Sequence, residues 1–416
     1  MTPSQAISGS PPFPLGVNPE TYQADAVHAL LKEAAYFTLF ALPDPDNPDV
    51  PISSRGNPDG LIGVQVNERP HRFDIRPAQN TPGRGLRTVL TTGESVARVS
   101  MRWMPCPDDW VATPGIDPPP TRLNPRVSQR FVMLDGEMTF DDRERSGFRA
   151  VGAGRTYPMW ADGRLQLGLG SVIEVIEGLG RFKGLEGLNV VNGYIDPPYD
   201  LRLCFTVRMM DPGRRLSVRD SDFSPLHPIH DPAPGTSVIA VLGETVPEEP
   251  VTLNFGPGGT MIGSNVVERL RLVHIGYEVG GRRGLRSRTE QGPIVGELRG
   301  RLNFNPADKR PSFPISTNEG RLSFFDTEGN TIGSLFADIH EGTAFRTELP
   351  GAPMPVFRLG GYGPFAGGTG VFSGVNGMMS LNAVVSVFPR TLSNLYVLRI
   401  NDPEGRFRAS LWDAWF

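Results

Sequence analysis

The residues best placed to do chemistry sit on two short alternating stretches far apart in the chain. In SLFADIHEG, residues 334–342, alternation puts Phe336, Asp338 and His340 on one face of a strand and Leu335, Ala337 and Ile339 on the other. A carboxylate and an imidazole two residues apart on one strand face are separated by about 6.5–7 Å, close enough to act on one ligand or to share a water. In GFRAVGAGRTYP, residues 147–158, Arg155 and Tyr157 share a face, a positive charge beside a phenol. Ionisable groups held in an apolar cavity have shifted pKa values and work as general acids or bases. Asp338, His340, Arg155 and Tyr157 are therefore the candidate catalytic residues, provided that their faces line a barrel interior. The competing expectation is that these faces turn to solvent, the ordinary place for polar residues on one-sided strands.

Other arrangements offer less. GPGGTMIG (256–263) lacks the spacing of a dinucleotide turn and the Lys-Ser/Thr of a phosphate loop, and reads as a hairpin. His227 and His230 with Asp231 have ligand-like spacing, but two prolines and a linker setting favour an exposed turn, so no metal is expected. Cys106 and Cys204 are too few for a disulfide framework and read as reduced thiols. Glu174 and Glu177 fall on opposite faces of their strand, so at most one looks inward. No cofactor motif emerges.

The elements that must position these residues come in duplicate. GLGRFKGLEGLNVVN (178–192) recurs as GTGVFSGVNGMMSLN (368–382), both with G-x-G-x-F-x-G-x-x-G and an asparagine, Asn192 or Asn382, five residues on. LRLCFTVRMMDP (201–212) then matches LSNLYVLRINDP (392–403), pairing Arg208 with Arg399 and Asp211 with Asp402. The offset is 377 − 187 = 190 at the last motif glycine, 402 − 211 = 191 at the aspartate and 320 − 136 = 184 at a looser lead-in match, GEMTFDD against GRLSFFD. Such drift is what loop insertions produce in a duplicated domain. Glycine lets a coiled strand kink and lets a ring lie on bare backbone, so Phe182 and Phe372 are expected core plugs. The Arg-x-x-Asp-Pro repeats read as strand-end turns. Asn192, Asn376 and Asn382, with Phe336, are the candidate substrate-binding residues; the asparagines could equally satisfy a turn.

The chain of 416 residues suffices for two domains. Gly 49 and Pro 41 among short apolar runs favour turns over long helices. One helix is predicted: Asn18 caps it, Pro19 opens it, Val27, Leu30, Leu31, Ala34 and Phe37 give its apolar face, and Pro43 ends it. The expected organisation is an arm and helix over 1–58, a first β-barrel over 59–215 with a proline-rich insertion at 104–125 (a rim loop or lid), a linker over 216–235, and a second β-barrel over 236–416. About eight short strands per half suit a closed antiparallel barrel enclosing a small cavity, though a sandwich has similar counts. A net charge of −4 gives no reason to expect nucleic acid or an acidic membrane as partner. With neither a signal-like start nor an apolar run approaching ~18 residues, a cytoplasmic protein is expected.

GGTGVFSGVNG (367–377), followed by a strand, a turn at Phe388-Pro389 and another strand, resembles the glycine-rich signature of the allene oxide cyclase/dirigent-like, calycin-like β-barrels. The first half departs from it, with Arg181 before the phenylalanine and Glu186 in place of Asn376, so the halves are expected to differ in role. The resemblance implies an all-β fold of two tandem barrels and cofactor-free isomerase, cyclase or lyase chemistry. The substrate would be a small hydrophobic molecule, oxygenated or phenolic, held in a barrel cavity. A carrier for such a molecule is the alternative, a structural scaffold the third reading, and a homodimer is compatible with all three. Convergent ionisable groups in a cavity would favour an enzyme, a wholly apolar cavity a carrier, and a filled interior a scaffold.

Overall fold

The computed structural model describes residues 34–54, 57–77, 88–124, 126–161, 164–196, 200–211, 215–216, 236–246, 248–249, 252–257, 261–276, 288–304, 310–326, 328–348, 355–386 and 391–401. The first half contains β1 (Ala34–Pro43), β2 (Val50–Ser54), β3 (Asn57–Pro77), β4 (Thr88–Ser95), β5 (Ala97–Pro105), β6 (Gln129–Phe140), β7 (Gly147–Ala161), β8 (Arg164–Leu179), β9 (Gly187–Asp196) and β10 (Asp200–Met210). The second contains β11 (Thr236–Thr245), β12 (Thr252–Phe255), β13 (Met261–Gly276), β14 (Arg288–Asn303) and β15 (Ser312–Phe325). It continues with β16 (Thr331–Ala337), β17 (Glu341–Thr347), β18 (Val356–Gly370), β19 (Gly377–Ser386) and β20 (Thr391–Asn401). Each half closes into an eight-strand antiparallel barrel. The first runs β1-β3-β5-β6-β7-β8-β9-β10 and back to β1; the second runs β11-β13-β14-β15, then the broken strand β16/β17, then β18-β19-β20 and back to β11. Closure leaves no free edge in either ring.

The predicted helix divides. Residues 18–33 lie outside the described residues, and its last part is not helical, because Ala34–Pro43 is strand β1 of the first barrel. Ala35, Phe37, Leu39 and Ala41 point into the barrel. Phe40, on the other face, is buried with Phe73, Val238, Val273 and Leu395 where the barrels meet. A strand covered on both faces shows no polar alternation, which is why it imitated a helix. The first barrel therefore starts well before residue 59. Of the expected linker, Leu216 is buried in the first barrel's core, and residues 217–235 lie outside the described residues, with His227, His230 and Asp231 among them.

The repeated motif builds the same bend twice. Gly180 and Gly370 have φ of 56° and 60°, and Gly184 and Gly374 both have 73°, left-handed values that disfavour a side chain. The bend drops Phe182 and Phe372 into the barrels, both fully buried. Phe182 stacks on Phe140 at 5.4 Å, and Phe372 lies 5.0 Å from Phe324. Burial of each ring contributes about 1.5–3 kcal/mol.

The barrels meet across a pseudo-two-fold seam. Asn192 Nδ2 donates to the carbonyls of Met378 and Val397 at 3.1 Å each, and Asn382 Nδ2 donates to those of Leu188 and Thr206 at 3.2 and 2.9 Å. These acceptors are equivalent, at 378 − 188 = 190 and 397 − 206 = 191. Arg208 and Arg399 repeat the pattern, Nη1 donating to the carbonyls of Ser393 (2.9 Å) and Arg202 (3.2 Å), again equivalent at 393 − 202 = 191. Reciprocal contact of residue i with j and of j with i is the mark of an isologous interface, formed here within one chain. Glycine permits the approach: Tyr362 lies on Gly170, and Val172, the counterpart of Tyr362 at 362 − 172 = 190, lies on Gly360.

Candidate functional site

The sequence-derived candidates lie outside the barrel interiors. Leu335, Ala337 and Ile339 face into the second barrel, so the alternation holds but the polar face of Phe336, Asp338 and His340 turns outward. A packed interior recruits the apolar face of a strand. Phe336 is exposed. Asp338 Oδ1 accepts the N–H of Gly320 at 2.7 Å, which ties the link between β16 and β17 to β15. On β7, Phe148 and Ala150 face inward while Tyr157 packs on the seam with Tyr362, Val172 and Phe345. Asn192 and Asn382 are seam residues rather than ligand contacts, and Asn376 Nδ2 donates to the carbonyl of Trp160 at 3.1 Å, also bridging the barrels. Asp211 performs the expected turn role, its carboxylate accepting the N–H groups of Arg215 and Leu216.

Three candidates nevertheless meet, across the seam. The Tyr157 and His340 rings lie edge to face with centroids 5.9 Å apart. Arg155 Nε donates to Glu341, whose other oxygen accepts the Tyr362 hydroxyl at 2.8 Å. Arg155, His340, Glu341 and Tyr362 border a cleft of about 790 Å³, with Val172, Phe304, Phe313 and Ile315 apolar and Asn303, Arg310 and Thr343 polar among its other walls, and Asp108 and Arg130 at the first barrel's side. Asp338 does not join this group.

The barrel interiors are mostly filled. Free volume is about 20 Å³ beside Met101, Met133 and Phe148 in the first barrel, and about 40 Å³ in the second. The second cavity, room for about three water-sized positions, is lined by apolar side chains together with Glu268, Asn394 and Tyr396. Glu268 is fully buried; its oxygens accept hydrogen bonds from Asn394 Nδ2 and, at 3.0 Å, from the Tyr396 hydroxyl. Burial pushes the Glu268 carboxyl up to about 7, against the opposing pull of those two donors. Burial, and then the nearby Glu268, push the Tyr396 phenol well above its ordinary value. Asn394 Oδ1 is buried with no hydrogen-bond partner.

The first barrel supplies an internal comparison. Glu68 occupies the position of Glu268: Pro43 pairs with Glu68 as Thr245 pairs with Glu268, and the flanking V-x-E-R is repeated at 268 − 68 = 200. Its counterparts to Asn394 and Tyr396 are Leu203 and Phe205, which cannot hydrogen-bond. Neither Glu68 oxygen has a hydrogen-bond partner, and burial raises its pKa well above the usual carboxylate value, with Asp49 adding to the shift. Only the second barrel combines the acid with hydrogen-bonding partners. Sequence reading missed Glu268; the signal was a carboxylate at the same place of the inward alternation in both halves, followed on that face by Leu270 and Leu272 in the second and by Pro70 and Arg72 in the first.

No protein-family model, curated protein or solved structure significantly matches the chain. Among the described residues there is no group of three His, Cys, Asp or Glu arranged to hold a metal ion, and no helix long and apolar enough to cross a membrane. Burial pushes the Cys106 thiol up to about 11 and the Cys204 thiol to about 12, so neither is a thiolate at neutral pH.

Proposed function

We propose that the second barrel is a cofactor-independent isomerase, cyclase or lyase for a small hydrophobic, oxygenated or phenolic molecule, with Glu268 as the proton-transferring group. The observation that carries this reading is Glu268 in an apolar cavity, held by Asn394 and Tyr396, with a carboxyl poised near pH 7. A general acid–base is most effective when its pKa lies near the working pH, because both protonation states are then accessible. Tyr396 fixes the carboxylate by its hydrogen bond, and the tight apolar walls exclude bulk water; with room for about three water-sized positions, the cavity admits a substrate only as its lining side chains move aside. The first barrel, lacking both partners of its glutamate, is the structural half. Two convergent ionisable groups in one cavity favour catalysis over a passive carrier, while the small free volume, about 40 Å³, is the observation that favours a structural scaffold.

The test begins with native mass spectrometry of the purified chain to identify a retained small molecule, followed by solvent-deuterium incorporation into that molecule. The full chain should catalyse exchange, and Glu268→Gln should abolish it while retaining the ligand. Equal exchange by both proteins would leave the barrel as a carrier.

A further inference from the structure

The cleft between the barrels is separate from the cavity around Glu268 and has its own polar furniture. Arg155 is mostly buried and its guanidinium is divided between two carboxylates. On the inner side it pairs with Glu341; on the outer side Nη2 lies 2.6 Å from Asp108 Oδ1, whose side chain is 77% exposed. Asp108 belongs to the proline-rich insertion, and Arg130 holds that segment by donating to the carbonyls of Asp108 and Trp110. Beside this pair, the Tyr157 hydroxyl is buried without a hydrogen-bond partner on a residue only 8% exposed. Of the remaining wall residues Val172, Phe304, Phe313 and Ile315 are apolar while Asn303, Arg310 and Thr343 are polar, and Val111 and Ile262 stay exposed at 68% and 41%.

We propose that this cleft binds a small aromatic carboxylate, whose carboxylate takes the place of Asp108 on Arg155. Asp108 is the natural placeholder: it is a carboxylate, it sits at the solvent side, and its loop is anchored through backbone carbonyls that do not depend on its side chain. A guanidinium prefers two-point contact with a planar carboxylate. The apolar part of the wall suits an aromatic ring, and at about 790 Å³ the cleft is in the range of small-molecule sites. The insertion is then a competitor for the site as well as its rim.

The test titrates the full chain with benzoate and with neutral benzamide, following the methyl resonances of Val172 and Ile315 in the cleft and of Ile339 and Met379 in the second barrel. Benzoate should give saturable shifts at the cleft methyls alone. Asp108→Asn, a change at an exposed side chain, should tighten benzoate about tenfold by removing the internal competitor, and benzamide should bind at least about tenfold more weakly than benzoate. Failure of benzoate to saturate the Asp108→Asn variant overturns the proposal. So does equal binding of benzoate and benzamide, an unchanged affinity in Asp108→Asn, or shifts confined to Ile339 and Met379.

Discussion

The reciprocal seam makes the sharpest demand on experiment. Asn192→Ala removes two hydrogen bonds from Nδ2 to main-chain carbonyls of the second barrel, and Asn382→Ala removes the two equivalent bonds to the first. Each bond is worth about 0.5–1.5 kcal/mol net, so two give about 1–3 kcal/mol. Two smaller effects oppose each other. The Oδ1 of each asparagine is buried and unpartnered, so deleting it returns about 1 kcal/mol, while the vacated space costs a similar amount. The expected loss is about 2 kcal/mol for either variant, and because acceptors and geometry are equivalent the two losses should agree. Urea unfolding followed by tryptophan fluorescence would measure the midpoint shifts, and hydrogen exchange at β9 and β19 would show whether protection falls first at the seam. The double variant should separate unfolding of the barrels into two transitions. If one asparagine costs about 2 kcal/mol and the other less than about 0.5 kcal/mol, the seam is not reciprocal in energy and the symmetry is only geometric.

Glu268 makes stability depend on pH in a direction opposite to the usual salt-bridged carboxylate. Its folded pKa of about 7 lies above its ordinary 4.5, so between those values the native state holds the proton that the unfolded chain has released. Stability is therefore undiminished below about pH 4.5 and falls as pH rises to about 7, by about 3 kcal/mol in all. Glu268→Gln should lessen that decline in chemical-denaturation midpoints taken from pH 5 to 8, leaving the part that the buried Glu68 contributes in the same direction, and a decline parallel to the unmodified chain would refute the burial argument. Phe372→Ala, which empties the space beside Phe324, should cost about 3–5 kcal/mol by the same denaturation measurement, and Phe182→Ala a similar amount.

Alternation stated correctly which residues share a face but not which face is inside. In residues 334–340 alternation leaves both outcomes open, a polar face turned inward to do chemistry or outward to solvent, and packing decides for the second by taking the apolar set, Leu335, Ala337 and Ile339, inside. The plugs Phe182 and Phe372 were legible because a glycine-flanked aromatic has one physical use in a coiled strand. The roles of Asn192 and Asn382 were not, since their acceptors are 176 to 205 residues away and leave no local trace. Arg155, Tyr157 and His340 were chosen from separate halves and meet only because the seam folds one barrel's outer face onto the other's. Strand β1 was misread for the same reason: the second barrel covers the face that would otherwise have been polar.

The seam also explains why a single chain could build what a symmetric dimer could not. By strand register, Arg155 pairs with Gly170 as Thr343 pairs with Gly360, and Ala153 pairs with Val172 as Glu341 pairs with Tyr362. Arg155 and Thr343 are thus equivalent, as are Ala153 and Glu341, and all four line the cleft, one member of each pair on either wall. In a homodimer of one barrel, each residue would appear on both walls: an arginine would face an arginine's own environment, and no carboxylate could be added opposite it without being added beside it as well. Fusion removes that constraint. The residues that hold the barrels together, Asn192 with Asn382 and Arg208 with Arg399, keep the symmetry. Those that furnish the cleft, Arg155 against Glu341 and His340, depart from it, as Asn394 and Tyr396 do in the second barrel's cavity. The positions where the halves differ most in chemistry are those that border open space, which is where a duplicated scaffold can acquire function without losing its fold.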